Sequence, residues 1–95
     1  MAIQFKVEEK ENFSLVEFEI EGGVCNPNDL KGLNMPAIDH TKGVVISGRG
    51  PIWLYGVILH EYHPAKWVGV FDPRLGGGVV VQSHDPEVKV GDVVK

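Results

Sequence analysis

The chain contains little that would support a secreted, disulfide-linked or membrane-embedded protein. Its one cysteine, Cys25, excludes an internal disulfide, and no other cysteine or histidine lies near it at the spacing of a zinc site. We interpret it as a buried or half-buried thiol. No apolar run reaches the roughly 18 residues of a membrane span, and the first six residues lack the layout of a secretory signal. We therefore expect a cytoplasmic protein with no membrane partner.

Positive charge is also scarce. The chain has 9 Lys and Arg against 13 Asp and Glu, which gives a formal net charge of −4. Nonspecific binding to long nucleic acid depends on many basic contacts to phosphates, so double-stranded DNA is not an expected partner. The only arginines are Arg49 and Arg74, and each lies in a turn marked by glycine or proline. A phosphate ligand would therefore have to bind locally, around these two turns.

The length of 95 residues is that of one domain, which we assign to residues 1–95. A chain of this size, with 43% hydrophobic residues, can bury one core. It is too small for separate binding and catalytic lobes. An elaborate site must be compact or shared between subunits.

The pattern of apolar residues predicts a mixed sheet covered by helices. Residues 3–7 and 16–20 alternate apolar and polar side chains, as antiparallel strands with one wet face do. Asn26 and Pro27 are typical of a helix start, and we predict a short helix over 27–33. The later part of the sequence predicts a strand over 44–47, a helix over 51–62 that starts with Pro51, and strands over 67–71, 79–83 and 88–94.

These elements follow the order β-β-α-β-α-β-β. We predict an α+β fold with a small mixed sheet, two main helices and a ferredoxin-like or Rossmann-like core. Residues 44–71 form a β-α-β unit, whose two strands are normally parallel and joined by a right-handed crossover. The carboxyl ends of these strands then lie at one edge of the sheet, where ligands of open sheets tend to bind.

That edge carries both arginine turns. Glycines let the backbone approach a ligand, the following helix offers free N–H groups, and Arg49 can hold a phosphate with two donors. The predicted ligand-binding residues are Ser47, Gly48, Arg49, Gly50, Pro51 and Arg74. The alternative is an ordinary strand-to-helix turn, because the motif lacks the ending of a Walker loop.

Asp72 begins the second turn, Asp72-Pro73-Arg74. It follows an apolar strand at the ligand edge, where its carboxylate could hold a metal or orient water. A β-turn with proline at its second position is also common, and its aspartate then caps nearby N–H groups. Both interpretations of Asp72 stay open.

Three histidines are predicted to lie at the opposite edge. His60 and His63 share a face in the last turn of the predicted helix, roughly 15–20 Å from Arg49 at about 1.5 Å per residue. A strand over 79–83 that runs back antiparallel brings His84 to the same edge. Three imidazoles suit a manganese or zinc site, or proton transfer in phosphodiester cleavage. The alternative is that they complement the helix dipole and cap a turn.

The two edges cannot meet within one small monomer. Stacking the arginine edge of one copy on the histidine edge of the next would assemble a complete site around a ligand. Such contacts can extend into filaments. The fourth histidine, His40, lies in a polar loop and is assigned to the surface.

Several separated blocks of the chain resemble the third family of CRISPR-associated ring nucleases, small proteins of type III CRISPR systems. The resemblance covers most of residues 42–84, and the first 40 residues match mainly in their strand pattern. The blocks are KGVVISGRGPIWL over 42–54, HEYH over 60–63, FDPRLG over 71–76 and VVVQSH over 79–84.

The resemblance implies a core related to CARF domains and cleavage of cyclic tetra-adenylate to short linear adenylates, which switches off the nucleases that this messenger activates. It also implies dependence on Mn²⁺ and a homodimer that stacks on a second dimer around the ring. An older assignment of the family is a manganese-dependent exonuclease that removes adenylates from the 3′ poly-A ends of RNA. By motif, the resemblance places function on His60, His63, Asp72, Arg74 and His84.

The chain departs from the family at residues 76–78, where three glycines stand in place of a shorter turn. A longer hairpin would change the placement of His84. His84 is therefore the least secure of the residues that the resemblance identifies.

We expect a metal-assisted phosphodiesterase that acts on a cyclic oligoadenylate, with the ribose 2′-hydroxyl or a water as nucleophile. The alternatives are a sensor that binds the ring without cutting it and an RNA deadenylase. The predicted catalytic residues are His60, His63, Asp72 and Arg74, and the predicted manganese ligands are His60, His63, Asp72 and His84.

Overall fold

The structure, a computed structural model, describes residues 2–95. Within that range the chain forms one six-stranded sheet, one α-helix and two single turns of 3₁₀-helix. The helix α1 (Ile52–Glu61) lies between the third and fourth strands in the sequence. The predicted α+β class is confirmed. The strands are β1 (Ile3–Glu9), β2 (Phe13–Ile20), β3 (Gly43–Ser47), β4 (Trp67–Asp72), β5 (Gly77–Ser83) and β6 (Val93–Val94).

The strands lie in the sheet in their order along the chain, and their directions decide which ends meet. β2, β3 and β4 run parallel, whereas β1 with β2, β4 with β5, and β5 with β6 are antiparallel. The predicted β-α-β unit is confirmed, with α1 as the crossover between two neighbouring parallel strands. The carboxyl ends of β3 and β4 therefore share one edge of the sheet, and those of α1 and β5 share the other.

The prediction of a second main helix over 27–33 is wrong. Pro27–Leu30 forms a single 3₁₀ turn, and the predicted cap is present: the Asn26 N–H donates to Asp29 Oδ2 at 2.9 Å and completes a capping box. The turn ends because Lys31 is extended, with φ −74° and ψ 124°, and Gly32 follows with a positive φ of 70°. The order of strands and main helix is therefore β-β-β-α-β-β-β.

Two predicted boundaries also change. The strand expected over 88–94 is reduced to the two residues of β6, because the Asp92 N–H donates to the Lys89 carbonyl at 2.9 Å and Gly91 has a φ of 99°. These features make a turn where the sequence predicted extended chain. α1 begins one residue later than predicted, with Pro51 as its N-cap.

The main core lies between α1 and the face of the sheet that it covers. Two side chains of α1, Leu54 and Ile58, are completely buried against the central strands. Each such side chain contributes about 1.5–3 kcal/mol when it leaves water. The burial fixes α1 across the parallel strands and so fixes both of its ends. The partners of these side chains in β2 and β3 include Val16, Val44 and Ile46.

A smaller cluster lies on the other face of the sheet, around Val45, Trp67 and Val80. Cys25 is half-buried against the main core, as predicted. In the part of the chain that the structure describes, no helix is long and apolar enough to cross a membrane.

Candidate functional site

Both arginine turns lie at the same edge of the sheet, as predicted. The first consists of Ser47, the last residue of β3, with Gly48 and Arg49, and the second begins at Asp72, the last residue of β4. We call the two turns, together with the first residues of α1, the arginine edge. The parallel pairing of β3 with β4 requires this placement, because parallel strands end at the same side.

Close packing against Phe18 explains why the first turn contains glycines. A Cβ atom on Gly48 would lie 2.6 Å from the Phe18 ring and 2.7 Å from the Phe18 carbonyl oxygen. A Cβ atom on Gly50 would lie 2.9 Å from the same ring. The Tyr55 hydroxyl donates to the Gly48 carbonyl, and its ring meets Phe18 edge to face at 5.3 Å. The glycines therefore let the turn lie against Phe18, and this packing holds the turn over the start of α1.

Burial raises the pKa of the Tyr55 phenol, while its hydrogen bond to Gly48 acts in the opposite direction. The hydroxyl is therefore neutral at physiological pH and serves as a donor. It ties α1 to the turn that precedes it.

The N-terminus of α1 points its free N–H groups to the arginine edge. The N-cap is Pro51, and none of the described side chains bonds to the first turn as a cap. The Leu54 and Tyr55 N–H groups both donate to the Pro51 carbonyl, so the preceding donors face outward. Arg49 is exposed and makes no ion pair with any residue of 2–95. This end of the molecule is suited to an anion.

Asp72 organises the second turn. Its Oδ1 accepts the Arg74 N–H at 2.8 Å, and its Oδ2 accepts from Arg74 Nη2 at 3.3 Å. These hydrogen bonds hold the pKa of the Asp72 carboxyl below its ordinary value. The Arg74 side chain is 85% exposed, so its other donors face solvent. This is the geometry of the capping interpretation, and Asp72 would have to give up contacts with Arg74 to bind a metal.

Two of the three predicted histidines meet at the opposite edge. The rings of His63 and His84 lie 5.4 Å apart at an angle of 78°. His60 is exposed one turn earlier in α1, and its carbonyl accepts the His63 N–H at 3.3 Å. We call this group the histidine edge. It lies at the end of α1 and the end of β5, the side of the sheet away from the arginine edge.

The extra glycines lie at the start of β5, and His84 follows the opposite end of the same strand. Gly76 takes the positive φ of 67° that the turn needs, while Gly77 and Gly78 are paired with β4 as strand residues. A Cβ atom on Gly77 would lie 2.6 Å from the Val94 carbonyl oxygen, so β6 requires glycine there. The position of His84 is set separately, since its N–H donates to the Lys66 carbonyl at 2.9 Å.

Gln82 is a member of the histidine edge that the sequence analysis missed. Its Nε2 donates to the His63 carbonyl at 2.8 Å, and its Oε1 lies 3.1 Å from His63 Nδ1. The alternation of apolar residues in β5 could not reveal this contact. A bulge between Val68 and Gly69 in the pairing of β4 with β5 decides to which face Gln82 points.

A single chain does not complete the predicted manganese site. Among residues 2–95, no three His, Cys, Asp or Glu side chains come close enough together to hold one ion. His63 and His84 could supply two imidazoles, but Asp72 lies at the other edge of the sheet. An ion bound by these residues therefore needs ligands from a second copy or from a bound phosphate, and we derive no chemical step through it.

Comparisons with known proteins confirm one part of the resemblance, the association with CRISPR. Residues 17–95 match the family model described as CRISPR-associated protein (Cas_csx3). The matched range contains both arginine turns and the whole histidine edge. An uncharacterized protein of Aquifex aeolicus (strain VF5) is 56% identical over 86 residues, which cover 86% of this chain and 77% of that protein. The chain therefore belongs to the CRISPR-associated Cas_csx3 family.

Proposed function

We propose that this protein is a ring nuclease, a phosphodiesterase that cuts cyclic tetra-adenylate to linear adenylates and so ends type III CRISPR signalling. The observation that carries the proposal is the placement of an anion-binding edge and an imidazole edge at opposite sides of one small sheet. Such a molecule can enclose a ligand between two copies, because the opposed edges are complementary in chemistry. Membership of a CRISPR-associated family supports a signalling nucleotide as that ligand.

The arginine edge is the proposed binding surface for the phosphates of the ring. Arg49 and Arg74 provide charged donors, and the outward N–H groups of α1 add the positive end of the helix dipole. The indole of Trp53, 39% exposed in the first turn of α1, adds a surface on which an adenine can stack. Such stacking contributes about 1–3 kcal/mol per base in single-stranded nucleic acid complexes.

The histidine edge is the proposed source of proton transfer. An imidazole can take the proton from the ribose 2′-hydroxyl or from a water, and a second one, in its protonated form, can give a proton to the leaving oxygen. The adjacent rings of His63 and His84 are suited to these two roles, with the exposed His60 one helical turn away. In the assembled site, Arg74 of one copy would neutralise charge on the phosphate whose cleavage the histidines of the next copy assist by proton transfer.

Binding of manganese is the alternative use of the same imidazoles. In the assembled site, His63 and His84 would hold the ion together with ligands from outside the chain, in place of transferring protons. Bound there, the ion would polarise a phosphoryl oxygen and neutralise negative charge. The proposed partners are cyclic tetra-adenylate and further copies of the chain, as dimers stacked into a tetramer or filament. A 3′ poly-A end of RNA is the second candidate substrate, because the same surface recognises adenylates and phosphates.

The test is incubation of cyclic tetra-adenylate with the protein, with and without Mn²⁺, followed by chromatography of the products. We expect linear adenylates, and none from the His63→Ala protein. A ring that stays intact under both conditions would contradict the enzyme proposal, and retained binding would then assign the protein as a sensor. An RNA with a labelled oligo-A tail, treated in parallel, ranks the two substrates.

A further inference from the structure

The side-chain amide of Gln82 makes two contacts with one residue. It reaches the backbone carbonyl of His63 at 2.8 Å and the ring atom Nδ1 of His63 at 3.1 Å. His63 is exposed, so its ring would otherwise rotate freely in solvent. The two contacts tie the ring and the end of α1 to the same amide.

The chemistry of the carbonyl fixes the orientation of that amide. A carbonyl oxygen only accepts hydrogen bonds, so the amide atom 2.8 Å from the His63 carbonyl has to be Nε2 of Gln82. The amide oxygen then faces His63 Nδ1. Because this oxygen also only accepts, Nδ1 carries the hydrogen. In the neutral imidazole, the lone pair is therefore on Nε2.

His84 is oriented by the same carbonyl. Its Nε2 lies 3.2 Å from the His63 carbonyl oxygen, so this nitrogen carries the hydrogen and Nδ1 of His84 holds the lone pair. The two rings, 5.4 Å apart, thus have opposite tautomers. One backbone carbonyl and one glutamine together determine which ring atoms face a ligand.

The β-bulge places Gln82 where it can do this. Gln82 pairs with Val68, which is buried on the α1 face, while Val80 pairs with Gly69 and packs on the other face. Val81 is the additional residue between them. In a regular ladder Gln82 would be opposite Trp67, whose side chain packs on the face away from α1. The bulge therefore turns Gln82 toward His63.

We propose that Gln82 is a positioning residue that holds His63 in the tautomer with hydrogen on Nδ1 and so presents Nε2 to the bound ligand. The tautomer follows from the contacts alone. The consequence for catalysis rests on the proposed nuclease function. In metal sites, mutation of a residue that orients a functional histidine typically lowers activity by about 10–100-fold. We expect loss of Gln82 to lower the cleavage rate by at least about tenfold.

The test measures the tautomer and the cleavage rate in the same proteins. Long-range ¹H–¹⁵N correlation spectra distinguish a protonated ring nitrogen from one with a lone pair. In the wild type, we expect hydrogen on Nδ1 of His63 and on Nε2 of His84. Gln82→Leu should release the His63 tautomer and lower the rate by about tenfold or more. Gln82→Glu loses the donor to the His63 carbonyl but keeps an acceptor for Nδ1, so hydrogen should remain on Nδ1.

A matched control is Gln4→Leu, which removes an exposed glutamine from β1 at the far end of the strand order. It should change neither the tautomer nor the rate. Urea denaturation of each protein shows whether a lower rate comes from lost positioning or from lost folding. If Gln82→Leu is poorly folded, the tautomers of the wild type and of Gln82→Glu still test the proposal.

The possible results separate the two proposals. Hydrogen on Nε2 of His63 in the wild type, or an unchanged tautomer in Gln82→Leu, would overturn the positioning role. A released tautomer with an unchanged cleavage rate would overturn its part in catalysis. The expected tautomers in a protein that leaves every adenylate substrate intact would refute the nuclease and confirm the orientation of His63 by Gln82.

Discussion

Arg49 and Arg74 are held in different ways, although they share one edge of the sheet. Arg74 is bonded to Asp72 through its backbone N–H and its guanidinium group, so the turn sets its direction. Arg49, by contrast, has no ion pair within the described residues. A ligand phosphate can therefore bind Arg49 without competition, whereas at Arg74 it shares the guanidinium group with a carboxylate.

The Asp72 contacts predict a dependence of stability on pH. Arg74 holds the pKa of the Asp72 carboxyl below its ordinary 3.8, so the carboxylate stabilises the fold above that pH and loses this effect as pH falls through the lowered value. Asp72→Asn should be less stable than the wild type at neutral pH, and the difference should shrink below pH 3.8. Urea denaturation of both proteins across this range measures it. A difference that is the same at all pH values would contradict the assignment.

The sequence alone was sufficient to identify residues whose structural role depends only on their neighbours in the chain. The turns that contain Arg49 and Asp72 could be predicted, because glycine and proline determine turn geometry over a few residues. Gln82 could not be predicted. Its face depends on a bulge, which arises from the pairing of two strands and leaves no local signal in β5.

The connection between β3 and α1 is the element on which the arginine edge depends. Phe18 of β2 packs against the turn, and the Tyr55 hydroxyl bonds to its Gly48 carbonyl. The turn is therefore held by two elements, α1 and β2. Its order does not require a ligand.

Substitution of two glycines tests this packing. Gly48→Ala should destabilise the fold by about 1–3 kcal/mol, since the new Cβ atom would overlap Phe18. Gly56→Ala on α1 is the matched control: its Cβ atom would meet no described atom within 4 Å, and it should stabilise the helix by about 0.5–1 kcal/mol. Chemical denaturation followed by circular dichroism gives both values. Equal stabilities of the two variants would show that Phe18 does not require glycine at position 48.

Elements with a long apolar pattern were predicted well, and those with only a local signal were not. α1 and the central strands could be predicted because their runs of apolar residues are the ones that form the main core. The cap at Asn26 was correct, yet the helix expected after it is one turn, because Lys31 is extended and Gly32 takes a positive φ. Similarly, the apolar residues near the C-terminus predicted a longer strand than β6, but Gly91 bends the chain.

The whole molecule separates two chemistries that one active site would need together. The direction of β3, β4 and α1 puts the two arginine turns at one edge and the imidazoles at the other. The sequence was sufficient to predict this separation, because a crossover between parallel strands leaves only one arrangement. It could not predict that only His63 and His84 have adjacent rings, since this depends on side-chain packing at the end of α1.

If the active site forms only between copies, a mixture of two inactive variants should recover activity. His63→Ala keeps an intact arginine edge, and Arg74→Ala keeps an intact histidine edge. In an equimolar mixture with random stacking, about a quarter of the interfaces should join two intact edges, so cleavage of cyclic tetra-adenylate should return to about a quarter of the wild-type rate.

The control is a mixture of His63→Ala with the double variant His63→Ala, Arg74→Ala, in which no interface has an intact histidine edge. It should stay inactive. Light scattering with the ring bound verifies that each single variant folds and forms mixed stacks. We expect cleavage in the first mixture and none in the second. Properly folded, stacked variants that stay inactive in the first mixture would contradict the shared site.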